Sequence, residues 1–131
     1  MIKRLFAEEI KTKPDMLHDY ELINVTYDYE RKTLIILAKK DKDGSSVNIQ
    51  FENTIGFEAE MCDYWGPSPY IFDWSIKAGG EGKIYSRIDK EIKDNGYSVD
   101  NIDEYIEVCI VLSSGNQIRA LCEFVLLDGQ I

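Results

Sequence analysis

The chain has 131 residues, 44% of them apolar, and its 24 acidic and 15 basic residues give a formal net charge of -9. This length predicts one domain over residues 1–131, with a core large enough to need no disulfide or metal. The excess of acids argues against nucleic acid and anionic membranes as partners, because both are bound through clustered Lys and Arg. The charge fits a soluble protein, or one that meets a basic protein through electrostatic steering.

The N-terminal segment carries two basic residues followed at once by two acids, without the apolar core of a signal peptide. No apolar run approaches transmembrane length, so a cytoplasmic protein is expected. Apolar residues recur at helical spacing at Ile2, Leu5, Phe6 and Ile10. They predict a short N-terminal helix that ends before Pro14.

Three alternating segments predict a strand meander with turns at Glu30-Arg31 and Asp43-Gly44. Asp-Gly favours a tight hairpin, since both turn positions prefer positive φ. The predicted pairs are Tyr27 with Leu34, Val25 with Ile36 and Ile23 with Ala38 across the first turn, and Ala38 with Ile49, Ile36 with Phe51 and Leu34 with Asn53 across the second. In this arrangement all three strands place their apolar residues on one face, which a slip of one residue would destroy.

The run from Val47 to Met61 has the clearest alternation in the chain. Its odd positions are apolar except Asn53, and its even positions are polar or Gly. This predicts β structure with one buried and one solvated face. Gly56 falls inside the run and predicts a bend or bulge that divides it into two strands.

The second half of the chain predicts a short strand over Ile71–Lys77, a helix over Ile84–Asn95 and a final hairpin. The helix has one narrow stripe of isoleucines and ends at Asn-Gly, a common C-terminal signal. The hairpin stripes are Ile106, Val108, Ile110 and Leu112 in one strand, and Ile118, Ala120, Cys122, Phe124 and Leu126 in the other. A three-residue loop, Ser114-Gly115-Asn116, would pair Leu112 with Ile118 and Val108 with Cys122.

These elements predict an α+β fold. We expect a largely antiparallel, twisted sheet of six or seven strands, with one amphipathic helix packed on part of one face and a short N-terminal helix. The three cysteines, Cys62, Cys109 and Cys122, have no metal-type spacing and are expected to be free thiols. Cys109 and Cys122 should point to opposite faces and form no disulfide.

The sequence offers no catalytic set, no metal site and no cofactor motif. Its single histidine, His18, could pair with Cys62 as a nucleophile only if the fold brought them together. The favoured interpretation is that His18 anchors the start of the first strand of the meander. Asp41, Asp43 and Gly44 match only part of a calcium loop, and the hairpin accounts for them better. The glycine-rich stretch Ala78–Gly82 lacks the features of a phosphate loop.

The strongest candidate for a binding site is the aromatic loop that follows Met61. Pro67 and Pro69 stiffen it, and rigid Trp and Tyr side chains favour recognition because little entropy is lost on binding. The residues predicted to bind a partner or ligand are Tyr64, Trp65, Ser68, Tyr70 and Trp74. The alternative is that the aromatics fold inward and close one end of the core.

Three stretches give the chain its resemblance to known proteins: Phe51–Glu58, Cys62–Pro69, and the late hairpin with Ser113-Ser114-Gly115 and Cys122-Glu123. In layout the chain resembles small bacterial proteins, and is similar to the compact acidic immunity proteins of bacterial toxin systems. This resemblance implies a protein-binding role and supplies no functional residues.

Three functions therefore stand as hypotheses. The leading one is a non-enzymatic, cytoplasmic protein-binding module, an immunity-like inhibitor that blocks a basic partner. The second is a small hydrolase or sugar-binding protein that uses Asp63, Asp73 or Cys62 beside the aromatic loop; a deep pocket joining these residues to His18 would favour it. The third is a structural accessory subunit that associates through an exposed sheet edge. The sequence leaves the oligomeric state open.

Overall fold

Nine strands and two helices form within the part of the chain that the computed structural model describes, residues 2–40, 44–60, 69–96, 99 and 101–129. In chain order these elements are β1 (Ile2–Leu5), α1 (Ala7–Thr12), β2 (Tyr20–Asp28), β3 (Thr33–Lys40), β4 (Ser46–Glu52), β5 (Gly56–Ala59), β6 (Ile71–Ala78), α2 (Lys83–Asp94), β7 (Ile106–Leu112), β8 (Gln117–Cys122) and β9 (Phe124–Gly129). Single 3-10 turns at Gly79–Glu81 and Ile102–Glu104 flank the connections around α2.

The strands form two antiparallel sheets. One has five strands in the order β1-β9-β4-β3-β2, and the other has four in the order β5-β8-β7-β6. The predicted α+β class and the antiparallel pairing are confirmed. The predicted single sheet of six or seven strands is wrong, because the described residues form nine strands in two sheets.

The apolar faces of the two sheets meet in one hydrophobic core. Alternation places every second side chain of a strand on the inner face, so each sheet contributes whole rows of buried residues. The five-stranded sheet supplies Leu34, Ile36, Ala38, Val47, Ile49, Phe51, Val125 and Leu127, and the four-stranded sheet supplies Ile71, Trp74, Val108, Ile110, Leu112, Ile118, Ala120 and Cys122. Ile10 and Leu17, from α1 and the turn after it, are also fully buried in this cluster.

The chain passes between the sheets at two corners, after β4 and after β8. At the first corner Asn53 adopts the left-handed conformation (φ 50°), which Asn tolerates better than most residues. The backbone N–H of Glu123, at the second corner, donates to the Glu52 carbonyl at 3.0 Å. Asn53 Nδ2 donates to the Glu123 carboxylate at 2.5 Å, so the two corners are bonded side by side.

The first corner confirms that the Val47–Met61 run divides into two strands, but the chain turns at Asn53, and Gly56, where the break was predicted, is the first residue of β5. The second corner explains why the predicted apolar stripe of the last strand is wrong after Cys122. After Cys122 the chain passes Glu123 and changes sheet, so Val125 is buried and Phe124 lies on the outer face.

The first turn of the meander has the predicted register over most of its length. Tyr27 pairs with Leu34 and Val25 with Ile36. The predicted partner of Ala38 is wrong: a bulge at Ile23 leaves Leu22 opposite Ala38 and exposes 46% of Ile23.

The second and last hairpins have the predicted faces but registers shifted by two residues. Ile36 pairs with Ile49 rather than with Phe51. Ile118 pairs with Ile110 rather than with Leu112. A shift of two keeps every side chain on the same face, because side chains alternate with period two. In the last hairpin the three-residue loop begins one residue earlier, since Leu112 N–H donates to the Asn116 carbonyl at 2.9 Å.

Helix α2 confirms the predicted amphipathic helix and packs on the outer face of the four-stranded sheet. Ile84 is fully buried against Leu121 and Tyr105. Gly56 permits this close approach, because a Cβ there would lie 2.8 Å from a methyl carbon of Ile84. Within the described residues, no helix is both long and apolar enough to cross a bilayer.

The N-terminal segment differs from its prediction. The first residues form β1, which pairs with β9, and only Ala7–Thr12 is helical. The helical spacing of apolar residues therefore spanned two elements. Tertiary pairing with β9 determined the conformation of the first of them.

Candidate functional site

Trp74, a predicted partner-binding residue, belongs to the core. It is 1% exposed and stands on the inner face of β6, opposite Ile110. Its indole N–H donates to the Lys13 carbonyl at 3.3 Å, and its backbone N–H donates to the Pro14 carbonyl at 3.0 Å. Trp74 therefore folds inward, as the alternative interpretation of the aromatic residues predicted, and its indole N–H has a hydrogen-bond partner within the fold. Trp74 is thus not part of the candidate surface.

Tyr70, the other described member of the predicted set, is half-buried where the chain enters β6. Its backbone N–H donates to Ser113 Oγ at 3.0 Å, and its carbonyl accepts the Ser113 N–H at 2.7 Å. The carbonyl of Pro69 accepts the Leu22 N–H at 2.9 Å. The backbone leading into β6 is thus held from both sides. Tyr64, Trp65 and Ser68 lie outside the described residues, as does Cys62, the proposed partner of His18.

An exposed aromatic pair joins Phe72, on edge strand β6, to His18, in the turn before β2. Phe72 is 54% exposed, and its ring meets the imidazole edge-on with 5.5 Å between centroids. His18 Nδ1 lies 2.6 Å from the Phe72 carbonyl oxygen, and because a carbonyl only accepts, Nδ1 carries the proton. This bond attaches the turn before β2 to β6, close to the anchoring role predicted from the sequence.

Three carboxylates lie near enough to His18 to act on its charge. His18 Nε2 lies 3.4 Å from Asp19 Oδ1. The hydrogen bond to the Phe72 carbonyl is the main cause that raises the pKa of His18. Desolvation opposes this rise, and the charges of Asp19, Asp15 and Asp73 add to it. We call these five residues, Asp15, His18, Asp19, Phe72 and Asp73, the Phe72 surface. It combines an exposed aromatic ring with local negative charge.

The edge of β6 is covered beside this surface. The Ile71 carbonyl accepts the Asp19 N–H at 2.9 Å, and the Trp74 N–H is bonded to Pro14. Backbone groups that are paired in this way do not offer a template for another strand. This leaves the hypothesis of association through this sheet edge without a supporting observation.

A second polar cluster lies on the outer face of the four-stranded sheet and was missed from the sequence. Glu107 and Arg119 are nearly fully buried, at 4% and 9% exposure. The Glu107 carboxylate accepts the backbone N–H groups of Lys83 and Ile84 at 3.1 and 2.8 Å and so caps α2. The alternation of β7 and β8 does place these residues on the polar face. Only the packing of α2 over that face makes them buried.

This cluster lines a cavity of about 210 Å³, together with the half-buried Cys109. Burial raises the pKa of the Cys109 thiol, so the thiol is protonated and weakly nucleophilic at neutral pH. The lining of the cavity includes neither His18 nor Asp73. It is therefore not the deep pocket that would have favoured a hydrolase beside the aromatic loop. Among the described residues, no group of three or more His, Cys, Asp or Glu is arranged to hold a metal ion.

Comparison with known proteins identifies no function. No family model and no curated protein matches the chain. A crystal structure of an uncharacterized protein from Neisseria gonorrhoeae is similar over 98% of this chain and 97% of that one, with 14% identity and a TM-score of 0.41.

Proposed function

We propose that the chain is a non-enzymatic protein-binding module and that it engages a basic partner through the Phe72 surface. The observation that carries the proposal is the exposure of Phe72 at 54%, on a strand whose backbone is fixed, with acids around it. Single aromatic residues are exposed on ordinary surfaces, as Phe6 and Tyr29 are here, and Phe72 differs from them in its contact with His18 and the acids beside it.

The geometry supports an anchor that is ordered before binding. His18 packs against the Phe72 ring and bonds to its carbonyl, so little conformational entropy remains to be lost when a partner covers the ring. Burying the exposed part of a Phe ring contributes about 1–2 kcal/mol, or roughly a tenfold change in affinity. That magnitude is large enough for a single-residue binding experiment.

The charge supports a basic partner. Asp15 and Asp19 are exposed, Asp73 is half-exposed, and the whole chain has a net charge of -9. Complementary charge around an aromatic anchor accelerates association and disfavours acidic competitors. We further propose that the chain acts by occlusion, covering the basic surface of its partner as an acidic immunity protein would, within the cytoplasm.

The test compares two exposed phenylalanines. Phe6 is 59% exposed and lies between β1 and α1, at the N-cap of α1, so Phe6→Ala is a matched control for Phe72→Ala. Immobilised wild-type chain and both variants are exposed to lysate of the native host at low salt, and retained proteins are identified and their affinities measured. We expect a basic protein to be retained by wild type and Phe6→Ala, and to bind Phe72→Ala about tenfold more weakly.

Raising the salt concentration should weaken this binding, because exposed charges are screened. Equal affinity of wild type and Phe72→Ala would refute the proposed surface. The absence of any protein retained specifically by wild type would refute the proposed function. Circular dichroism of both variants checks that the fold is intact.

A further inference from the structure

The cavity on the four-stranded sheet is built by three neighbouring strands and the start of α2. In the antiparallel register Ser75 lies opposite Cys109, and Cys109 lies opposite Arg119, so one row of side chains crosses the floor. The adjacent row places Lys77 opposite Glu107. Residues in such rows point to the same face and come within contact distance. The cavity is thus a consequence of strand register.

Its lining carries more positive than negative charge. Lys77, Lys83 and Arg119 face one carboxylate, Glu107, whose two oxygens already accept backbone N–H groups of α2. Within the described part of the chain, neither Lys77 nor Lys83 makes an ion pair. A local excess of cations is unexpected in a chain with net charge -9, because the overall negative charge repels anions.

Arg119 is held in place before any ligand arrives. Its side chain is 11% exposed, its Nη1 lies 3.7 Å from Glu58 Oε2, and its Nη2 contacts the Gln117 side-chain oxygen. Glu58 is shared with Arg87, which it meets at 2.5 Å, so this carboxylate does not neutralise both guanidinium groups. A fixed, almost buried guanidinium is a strong donor for a planar or tetrahedral anion.

We propose that this cavity binds a small molecule through a phosphate group. The net excess of two positive charges matches a phosphate dianion. Lys77, Lys83 and Arg119 would supply charged donors, and Ser75 and Gln117 are neutral donors in the same lining. A cavity of about 210 Å³ has room for the phosphate group and a compact organic part. Burial raises the pKa of Cys109, so its thiol stays neutral and adds no negative charge to the lining.

This site is separate from the Phe72 surface and shares no residue with it. Evidence against one of the two proposals would therefore leave the other unaffected. One requires a basic protein, and the other requires a small anion. Loss of phosphate binding in a variant would leave the Phe72 experiment unchanged.

The test is an NMR titration of the full chain with inorganic phosphate, at constant ionic strength maintained with chloride. We expect saturable amide shifts in the millimolar range, concentrated at the cavity residues of β6, β7, β8 and the first turn of α2. The Lys77→Gln/Lys83→Gln double variant should bind at least about tenfold more weakly, since two charge-assisted contacts are lost. Both side chains belong to exposed residues, so the fold should survive.

The matched control is Lys90→Gln, which removes one exposed charge from the same helix outside the cavity lining. Its affinity for phosphate should stay within about twofold of wild type, because distant exposed charges are screened. The proposal is overturned by the absence of saturable shifts up to about 50 mM phosphate, far beyond a specific millimolar site. It is also overturned if Lys90→Gln weakens binding as much as the double variant does.

Discussion

Glu107 provides the sharpest test of how β7 and α2 are held together. Its carboxylate accepts the first two backbone N–H groups of α2, at 3.1 and 2.8 Å, and the side chain is almost fully buried. The residue at the N-cap position is Gly82, which has no side chain to perform this role. A Cβ at Gly82 would collide with the Glu107 carboxyl group, so the glycine makes room for a cap supplied by another strand.

The expected cost of Glu107→Gln follows from these contacts. The amide keeps one acceptor oxygen and loses the negative charge, so one charge-assisted bond and the favourable interaction with the helix dipole are removed. We expect a loss of about 1.5 kcal/mol, and about 3 kcal/mol for Glu107→Ala, in which both acceptors are lost. Unfolding entropy scales with chain length, so 3 kcal/mol corresponds to a fall in Tm of about 10 °C for 131 residues.

Urea unfolding at neutral pH measures these losses directly. The control is Glu91→Gln, an exposed acid in the last turn of the same helix, where removing a negative charge is neutral or slightly stabilising. A cost of less than about 0.5 kcal/mol for Glu107→Gln, the range of ordinary surface substitutions, would show that Glu107 does not cap α2 in this way. An equal loss of free energy in both variants would show the same.

Three further predictions concern packing, pH and thiol reactivity. Gly56→Ala should destabilise the chain by about 1–3 kcal/mol in urea unfolding, because its Cβ would overlap α2, whereas Gly80→Ala, with no side-chain atom nearer than 4.0 Å, should not. The pKa of His18 is raised in the folded state, so its contribution to stability is present at low pH and lost as pH rises through that folded value. NMR titration should place this pKa above the ordinary value of about 6.5, and in His18→Gln the change in stability between about pH 5.5 and about pH 8 should shrink. Burial raises the pKa of both the Cys122 and Cys109 thiols, and Cys122 far more. Mass spectrometry of alkylated peptides should show Cys109 modified slowly in the native chain and Cys122 only after unfolding; equal native rates would contradict the structure.

Side-chain alternation predicted the buried faces well because it depends only on the period of a strand. Ile36, Ile49 and Ile110 are all buried on the predicted faces. Register was less predictable, because it depends on loop conformation. Gly44 and Gly115 adopt positive φ, at 76° and 88°, as their turns require. The strands that flank each turn nevertheless pair two residues away from the register that a symmetrical turn would give.

The candidate sites were predictable only in part. His18 was expected to anchor the start of a strand, and its bond to Phe72 does so across the sheets. Trp74 was expected at a binding surface, yet its parity on β6 places it opposite Ile110 in the core. Strand alternation places Glu107 and Arg119 on one polar face, but the cavity itself was not predictable, because its lining comes from separate strands and a helix.

The sequence alone determined most of the buried strand faces, the position of α2 to within one residue at each end, and that the chain is acidic. These properties are local or compositional, and each follows from neighbouring residues. Only the tertiary structure decided that the strands divide into two sheets. The corners at Asn53 and Glu123 turn the chain from one sheet to the other, and bonds between distant residues hold them together. The exposure of Phe72 and the excess positive charge around Lys77 likewise depend on which elements pack beside them, which local pattern does not specify.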